Sequence, residues 1–160
     1  MKTLKLSIML LFLVVSKSYA FCVGVGVHPN SFQGPADELS KFIIKNGFST
    51  VRLDYLWGNV EKTKGKYTPD YKVDQVIDSL QGKKSKVIII LDYGNDIYSI
   101  KKPLTENEIS KYLEYVGWVT QHLKNKGVIY EVWNEWSSGN VNNKNESSAK
   151  NYVQLVKETS

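Results

Sequence analysis

Lys86-Val87-Ile88-Ile89-Ile90-Leu91-Asp92 places five branched aliphatic residues in a row with no polar break. A strand with one wet face alternates apolar and polar residues. This run does not, so it reads as a strand buried on both faces, as in a parallel sheet. It exits into Tyr93-Gly94-Asn95-Asp96 and a loop that reaches Pro103.

On either side the period changes to that of a helix. Before the run, Asp70 is placed to cap a helix whose apolar stripe is Val73, Val76, Ile77 and Leu80, closed by Gly82. After it, Thr105 and Glu108 have capping-box spacing. The helix they open runs to about Lys124, with Ile109, Tyr112, Leu113, Val116 and Val119 or Leu123 inward, and Gly127 stops it. Residues 128–133 form a further strand, followed by a polar loop over 137–144. Ser147 is expected to cap a last helix with Ala149, Tyr152, Val153 and Val156 on one face.

Toward the N-terminus the same unit recurs. Residues 22–27, CVGVGV, read as a short strand ending at His28-Pro29-Asn30. Its glycines suggest a close backbone approach. They lack the third glycine of a dinucleotide-binding turn. A helix over 36–45 carries Ala36, Leu39, Phe42 and Ile43 on one face and stops at Asn46-Gly47. Residues 48–54, FSTVRLD, form the second strand, and 55–69 a long aromatic loop.

The order is therefore βαβαβαβα, which gives a parallel sheet with helices outside. Two architectures fit: a doubly wound sheet, or the first four βα units of a (β/α)8 TIM barrel. Both gather ligands at the carboxyl ends of the strands. Every strand here is followed by polar or aromatic residues: His28 and Asn30, Arg52 and Asp54 through Trp57, Asp92 through Asn95, and Asn134 through Trp136. That decoration favours the barrel. A complete barrel needs ~250 residues, so 160 residues hold about half of one.

Residues 1–20 read as an export signal, with Lys2 and Lys5, an apolar run over 6–15, and small Ser18 and Ala20 at the cut. Export implies a secreted or periplasmic protein. The run is too short to span a bilayer, so no stable membrane insertion is expected after cleavage. Removing the signal takes away Lys2, Lys5 and Lys17 and no acid, lowering the net charge from +5 to +2. The basic charge is thus poor evidence for a nucleic-acid partner, and none is expected. Cys22 is the one cysteine, and His28 and His122 are far apart, so neither a disulfide nor a metal site is expected. No cofactor is implied, because no phosphate-cradling glycine loop opens a helix. Asn145-Glu146-Ser147 is a glycosylation sequon. His122 is expected at the surface and Trp118 in the core.

Arg52 is a lone arginine among twenty lysines. Its fork holds a carboxylate bidentately and stays charged when buried, and Asp54 is the neighbour expected to pair with it. Glu135 is the candidate general acid/base, its pKa to be raised by the flanking indoles of Trp133 and Trp136. Asn134 is suited to bind a sugar hydroxyl. Strand alternation puts Glu131 on the face of Trp133 and Glu135, either inside the barrel or lining the site. Trp57, Tyr93, Trp133 and Trp136 are candidate platforms for pyranose rings, and His28 joins them as a substrate-binding candidate.

Val51-Arg52-Leu53-Asp54 with Trp57, Val60-Glu61 with Gly65 and Tyr67, and Trp133-Asn134-Glu135 together resemble the N-terminal half of clan A glycoside hydrolases, nearest to families 39 and 5. The resemblance covers about residues 23–158. It implies a retaining (β/α)8 barrel acting on a poly- or oligosaccharide. Arg52 would support the nucleophile, Asn134 bind sugar, and Glu135 serve as acid/base. The chain departs from the pattern in two ways. Trp136 stands where the family usually has proline. The nucleophilic glutamate of the seventh strand is not in these residues, so little hydrolysis by the chain alone is expected. The other reading is a non-catalytic carbohydrate-binding half-barrel, whose open edges invite pairing with itself or a partner half.

Overall fold

The structure, a computed structural model, describes residues 22–138 and 148–160. The expected signal over 1–20, the sequon at Asn145, most of the polar loop and the expected cap Ser147 lie outside the described residues. Among the described residues four strands form one parallel sheet: β1 (Gly24–Val27), β2 (Thr50–Asp54), β3 (Lys86–Leu91) and β4 (Ile129–Val132). The sheet order is β1-β2-β3-β4. A doubly wound sheet reverses its strand order at a switch point. This sheet steps forward without reversal, the progression of a closing barrel, and that decides between the two architectures.

In β3, Val87, Ile89 and Leu91 are buried toward the helices and Ile90 is buried on the opposite, inner face. Ile88, also inner, is only half-buried, and Ile129 on β4 is 50 % exposed. The inner face is thus apolar at its base and open to solvent. Gly24 is a close approach as expected, since a Cβ there would lie 3.2 Å from Thr50; at Gly26 a Cβ would meet nothing.

Among the described residues there are five α-helices: α1 (Ala36–Lys45), α2 (Trp57–Val60), α3 (Tyr71–Leu80), α4 (Glu106–His122) and α5 (Ala149–Thr159). Asp70 caps α3, and the Thr105–Glu108 capping box opens α4 with both bonds made. All four expected stripe residues of α3 are buried. Three expectations shift by one helical step. In α1 the buried face is Ala36, Leu39, Ser40 and Ile43, while Phe42 is 57 % exposed. Positions i, i+3, i+4 and i+7 share a face, and Ser40 remains there because its hydroxyl donates to the Ala36 carbonyl at 2.9 Å. In α4, Tyr115 is fully buried and Leu113 is only half-buried. In α5, Ser148 is the cap, Leu155 is the buried anchor, and Val153 is 50 % exposed.

The segment 55–69, expected to be a loop, contains the short α2. Trp57 is fully buried, stacked on Tyr115 at 5.6 Å with Tyr112 edge-on at 6.1 Å. Buried Glu61 then accepts from Trp57 Nε1 at 2.6 Å, Gly65 N at 2.7 Å and the Tyr98 hydroxyl at 2.6 Å. Burial alone would raise the Glu61 pKa, but these donations outweigh it and hold it below the usual range. The Asn95 amide donates to the Glu61 carbonyl at 2.9 Å, tying this segment to the loop after β3.

His122 is not a free surface side chain. Its Nε2 lies 2.7 Å from Asp74 Oδ2, and its ring stacks on Trp118 at 5.0 Å. Trp118 is half-buried between His122 and Tyr67 rather than central in the core. Among the described residues no helix is long and apolar enough to cross a membrane.

Candidate functional site

The parallel registers align Arg52 with Ile88, and Asp54 with Ile90 and Glu131. Alternation along β2 sends Arg52 and Asp54 to the inner face, while Val51 and Leu53 pack against the helices. Glu131 projects to that same face from β4. Arg52 donates from Nε to Glu131 Oε2 at 2.8 Å and from Nη2 to Glu131 Oε1 at 2.6 Å. Nη2 also reaches Asn134 Oδ1 at 2.9 Å. The partner of Arg52 is therefore Glu131, not the expected Asp54. Asp54 lies two residues nearer the mouth than Arg52 and pairs instead with His28, whose Nδ1 is 2.5 Å from Asp54 Oδ2. The Arg52 hydrogen bonds hold the Glu131 carboxyl below the usual range.

Past Val132 the backbone leaves the strand. Trp133 has φ 64° and Glu135 φ 46°, both in the left-handed region that side chains other than glycine adopt at a cost. The turn at Trp133 breaks strand alternation. It drives that indole into the core, 3 % exposed, and brings Asn134 beside Arg52. The amide of Asn134 then donates to the Tyr93 hydroxyl. Trp136 is likewise buried, its Nε1 donating to the Ser148 carbonyl at 3.1 Å. Lys102 Nζ binds the carbonyls of Trp136 and Ser138 at 2.7 and 2.6 Å, and Ser138 N donates to the Glu135 carbonyl at 2.8 Å. The Glu135 turn is thus pinned at its backbone while its side chain stands exposed.

The structure brings together Arg52, Asn134, Tyr93 and Glu131 in one bonded group, with the His28–Asp54 pair beside it on the rim. It corrects the aromatic platforms. Trp57, Trp133 and Trp136 are interior, their rings taken up by other aromatic side chains, because each indole offers more apolar area to the core than any neighbouring residue. Tyr93, 42 % exposed, keeps a wet ring. The indoles turn away from Glu135 and do not cover it. Among the described residues no group of three or more His, Cys, Asp or Glu side chains is arranged to hold a metal.

Asp92, which the sequence places among the polar residues after β3 without assigning it a role, has an unusual environment. It follows the last residue of β3, is fully buried, and neither carboxyl oxygen has a hydrogen-bond partner among the described residues. Burial, with repulsion from Asp54 and Glu131 and partial relief from Arg52, pushes its pKa up to about 8. An unfolded aspartate titrates near ~3.9. Between these values the folded state keeps a proton that the unfolded state has lost, so this group makes stability fall as pH rises from about 4 to about 8. Asp92→Asn should therefore be more stable than the parent at pH 8 by on the order of 2 kcal/mol and no more stable at pH 4. Urea unfolding at the two pH values reads this directly. Parallel pH profiles for the two proteins would show that Asp92 is ionised throughout.

The family model for Cellulase (glycosyl hydrolase family 5) matches residues 19–160. Among solved structures, a family 39 glycoside hydrolase from the gut symbiont Bacteroides cellulosilyticus WH2 is 25 % identical with a TM-score of 0.69. The match covers 86 % of this chain and 28 % of that one. Xylanase 10B from Thermotoga petrophila RKU-1, solved with xylobiose, is 12 % identical with a TM-score of 0.58, covering 86 % of this chain and 45 % of its own. A β-glucosidase from Exiguobacterium marinum is 18 % identical with a TM-score of 0.53, covering 63 % and 24 %. The chain thus spans less than half the length of each of these structures. No curated protein matches it.

Proposed function

Because this chain belongs to the Cellulase family, glycosyl hydrolase family 5, we propose that its rim is the acid/base side of a retaining glycosidase site acting on a poly- or oligosaccharide. The observation that carries the reading is the Arg52 fork, which holds Glu131 bidentately and Asn134 at once. It presents the Asn134 amide at the mouth of the strands, next to an exposed carboxyl, Glu135. Glu135 would protonate the leaving oxygen, Asn134 and Tyr93 would bind sugar hydroxyls, and His28, oriented through Nδ1 by Asp54, would offer Nε2 to another. An export signal at residues 1–20 would place this activity outside the cell or in the periplasm.

Retention needs a second carboxylate ~5–5.5 Å from the first. On the inner face Glu131 is committed to Arg52, Asp54 to His28, and Asp92 is buried. None of these is free to act as nucleophile, so the 160-residue chain is expected to bind oligosaccharides and turn them over weakly or not at all. Titration with xylo- and cello-oligosaccharides, followed by calorimetry, tests the binding. Asn134→Ala should weaken it about fivefold to tenfold, the loss of one or two hydrogen bonds. Absence of binding to any such oligosaccharide in the parent chain would overturn the proposal. Normal turnover of aryl glycosides that disappears in Glu135→Gln would overturn the expected inactivity.

A second reading rests on the open inner face, where Ile129 is 50 % exposed at an edge strand. There the half-barrel binds carbohydrate without cleaving it, and its β1 and β4 edges pair with another half. Sedimentation of the chain as a clean monomer at high concentration argues against this.

A further inference from the structure

A buried carboxyl with no partner is an unusual feature to keep. Leaving one polar group unsatisfied destabilises the fold, and such costs are borne mainly at functional sites. Asp92 carries one with both oxygens unpartnered. Its place in the fold is specific. Leu91 and Val132 are the last paired residues, and Trp133 N still donates to the Leu91 carbonyl at 3.2 Å, so Asp92 and Trp133 leave the ends of β3 and β4 side by side, with Tyr93 and Asn134 next in each chain segment. The Tyr93–Asn134 hydrogen bond therefore crosses between the two strands one residue beyond Asp92, on the mouth side. A ligand hydroxyl that takes the amide hydrogen now given to Tyr93 displaces the Tyr93 hydroxyl, and with it the bridge beyond Asp92.

We propose that Asp92 is a further ligand-contacting residue of the rim, an acid with no hydrogen-bond partner among the described residues, whose hydrogen-bonding capacity is taken up by a sugar hydroxyl that displaces the Tyr93–Asn134 bond. The inference rests on the sugar-site reading of the rim and names a residue that reading does not use. The groups facing Asp92 are Arg52 and Asp54 from β2, Glu131 from β4, and the Tyr112 and Tyr115 phenols from α4; His28 pairs with Asp54. Arg52 is already engaged by Glu131 and Asn134, so it gives Asp92 only partial relief from burial and from the neighbouring carboxylates. With its pKa near 8, Asp92 is a neutral acid at pH 6 and offers a hydroxyl one donor and one acceptor.

Ionisation removes that donor, so binding should weaken about tenfold at pH 9 relative to pH 6, following the neutral fraction. Asp92→Asn keeps a donor and an acceptor in the same shape. It should bind within about threefold of the parent at pH 6 and hold that affinity at pH 9. Asp92→Leu should bind at least about tenfold more weakly at both pH values. The direct test is a nuclear magnetic resonance titration of the parent chain, with the Asp92 side-chain carboxyl and the Asn134 side-chain amide both labelled, against xylo- and cello-oligosaccharides. Movement of both resonances is the expected result. Movement of Asn134 with Asp92 unmoved overturns the role of Asp92 and leaves the sugar site standing. Movement of neither overturns both. An Asp92→Asn protein that keeps the parent's alkaline loss of binding also sinks the proposal, and this holds whether or not Asp92→Leu folds.

Discussion

Glu61→Ala is expected to cost about 3–5 kcal/mol of stability, the range for dismantling a buried hydrogen-bonded network. The substitution strands three donors together: the Trp57 indole N–H, the Gly65 backbone N–H and the Tyr98 hydroxyl. Trp57 is fully buried, so its N–H has no water to turn to. The consequences reach the rim. Trp57 N donates to the Asp92 carbonyl at 2.7 Å, and Asn95 is held by the Glu61 carbonyl at 2.9 Å, so the loop after β3 leans on this segment. Urea unfolding of Glu61→Ala beside Tyr98→Phe separates the network from one of its bonds, the latter costing about 1 kcal/mol. A loss under about 1 kcal/mol for Glu61→Ala would mean that the donors find other acceptors. The pH dependence has a definite sign. The folded pKa of Glu61 lies below its unfolded value, so its contribution is present above the unfolded value and is lost as pH falls through the folded one.

The period of the apolar residues carried most of this fold. β3 needed no tertiary information, because five aliphatic residues in a row leave no wet face. The α3 stripe and the Thr105–Glu108 box were equally local. What the sequence could not resolve lay where tertiary contact overrides a local rule. The aromatic residues of 55–69 read as loop decoration, yet Trp57 packs on Tyr115, sixty positions away in sequence space from the Tyr55 carbonyl that the same tyrosine binds. Trp133 and Trp136 read as platforms because they lie in the decorated stretch at the exit of β4. The left-handed turn at Trp133 has no glycine to announce it, and both indoles are buried. Arg52 stood out in the sequence through its rarity. Its partner did not, because an inner-face contact between β2 and β4 depends on sheet order, which composition does not encode. Asp92 reads in the sequence as one of several polar residues ending strands; the lack of a hydrogen-bond partner among the described residues distinguishes it.

Arg52→Ala should abolish the rim as a binding surface, lowering oligosaccharide affinity at least about thirtyfold while costing about 1–2 kcal/mol in stability. The two figures differ for a physical reason. Arg52 and Glu131 each keep 37 % of their side-chain surface exposed, so water screens the pair and recovers much of what unfolding would cost. Water does not recover the geometry. Without the guanidinium, Asn134 Oδ1 loses its donor, the amide is free to flip, and Glu131 is left as an uncompensated anion in the path of the ligand. Arg52→Lys should rescue less than about a tenth of the lost affinity, since one ammonium cannot span both Glu131 oxygens and Asn134 together. A double-mutant cycle with Glu131→Gln isolates the pair. If Arg52 acts by holding Glu131 and Asn134 together, Arg52→Ala in the Glu131→Gln background weakens binding by much less than thirtyfold. If Arg52 instead contacts the ligand itself, the two losses add, and the positioning role assigned to it here fails.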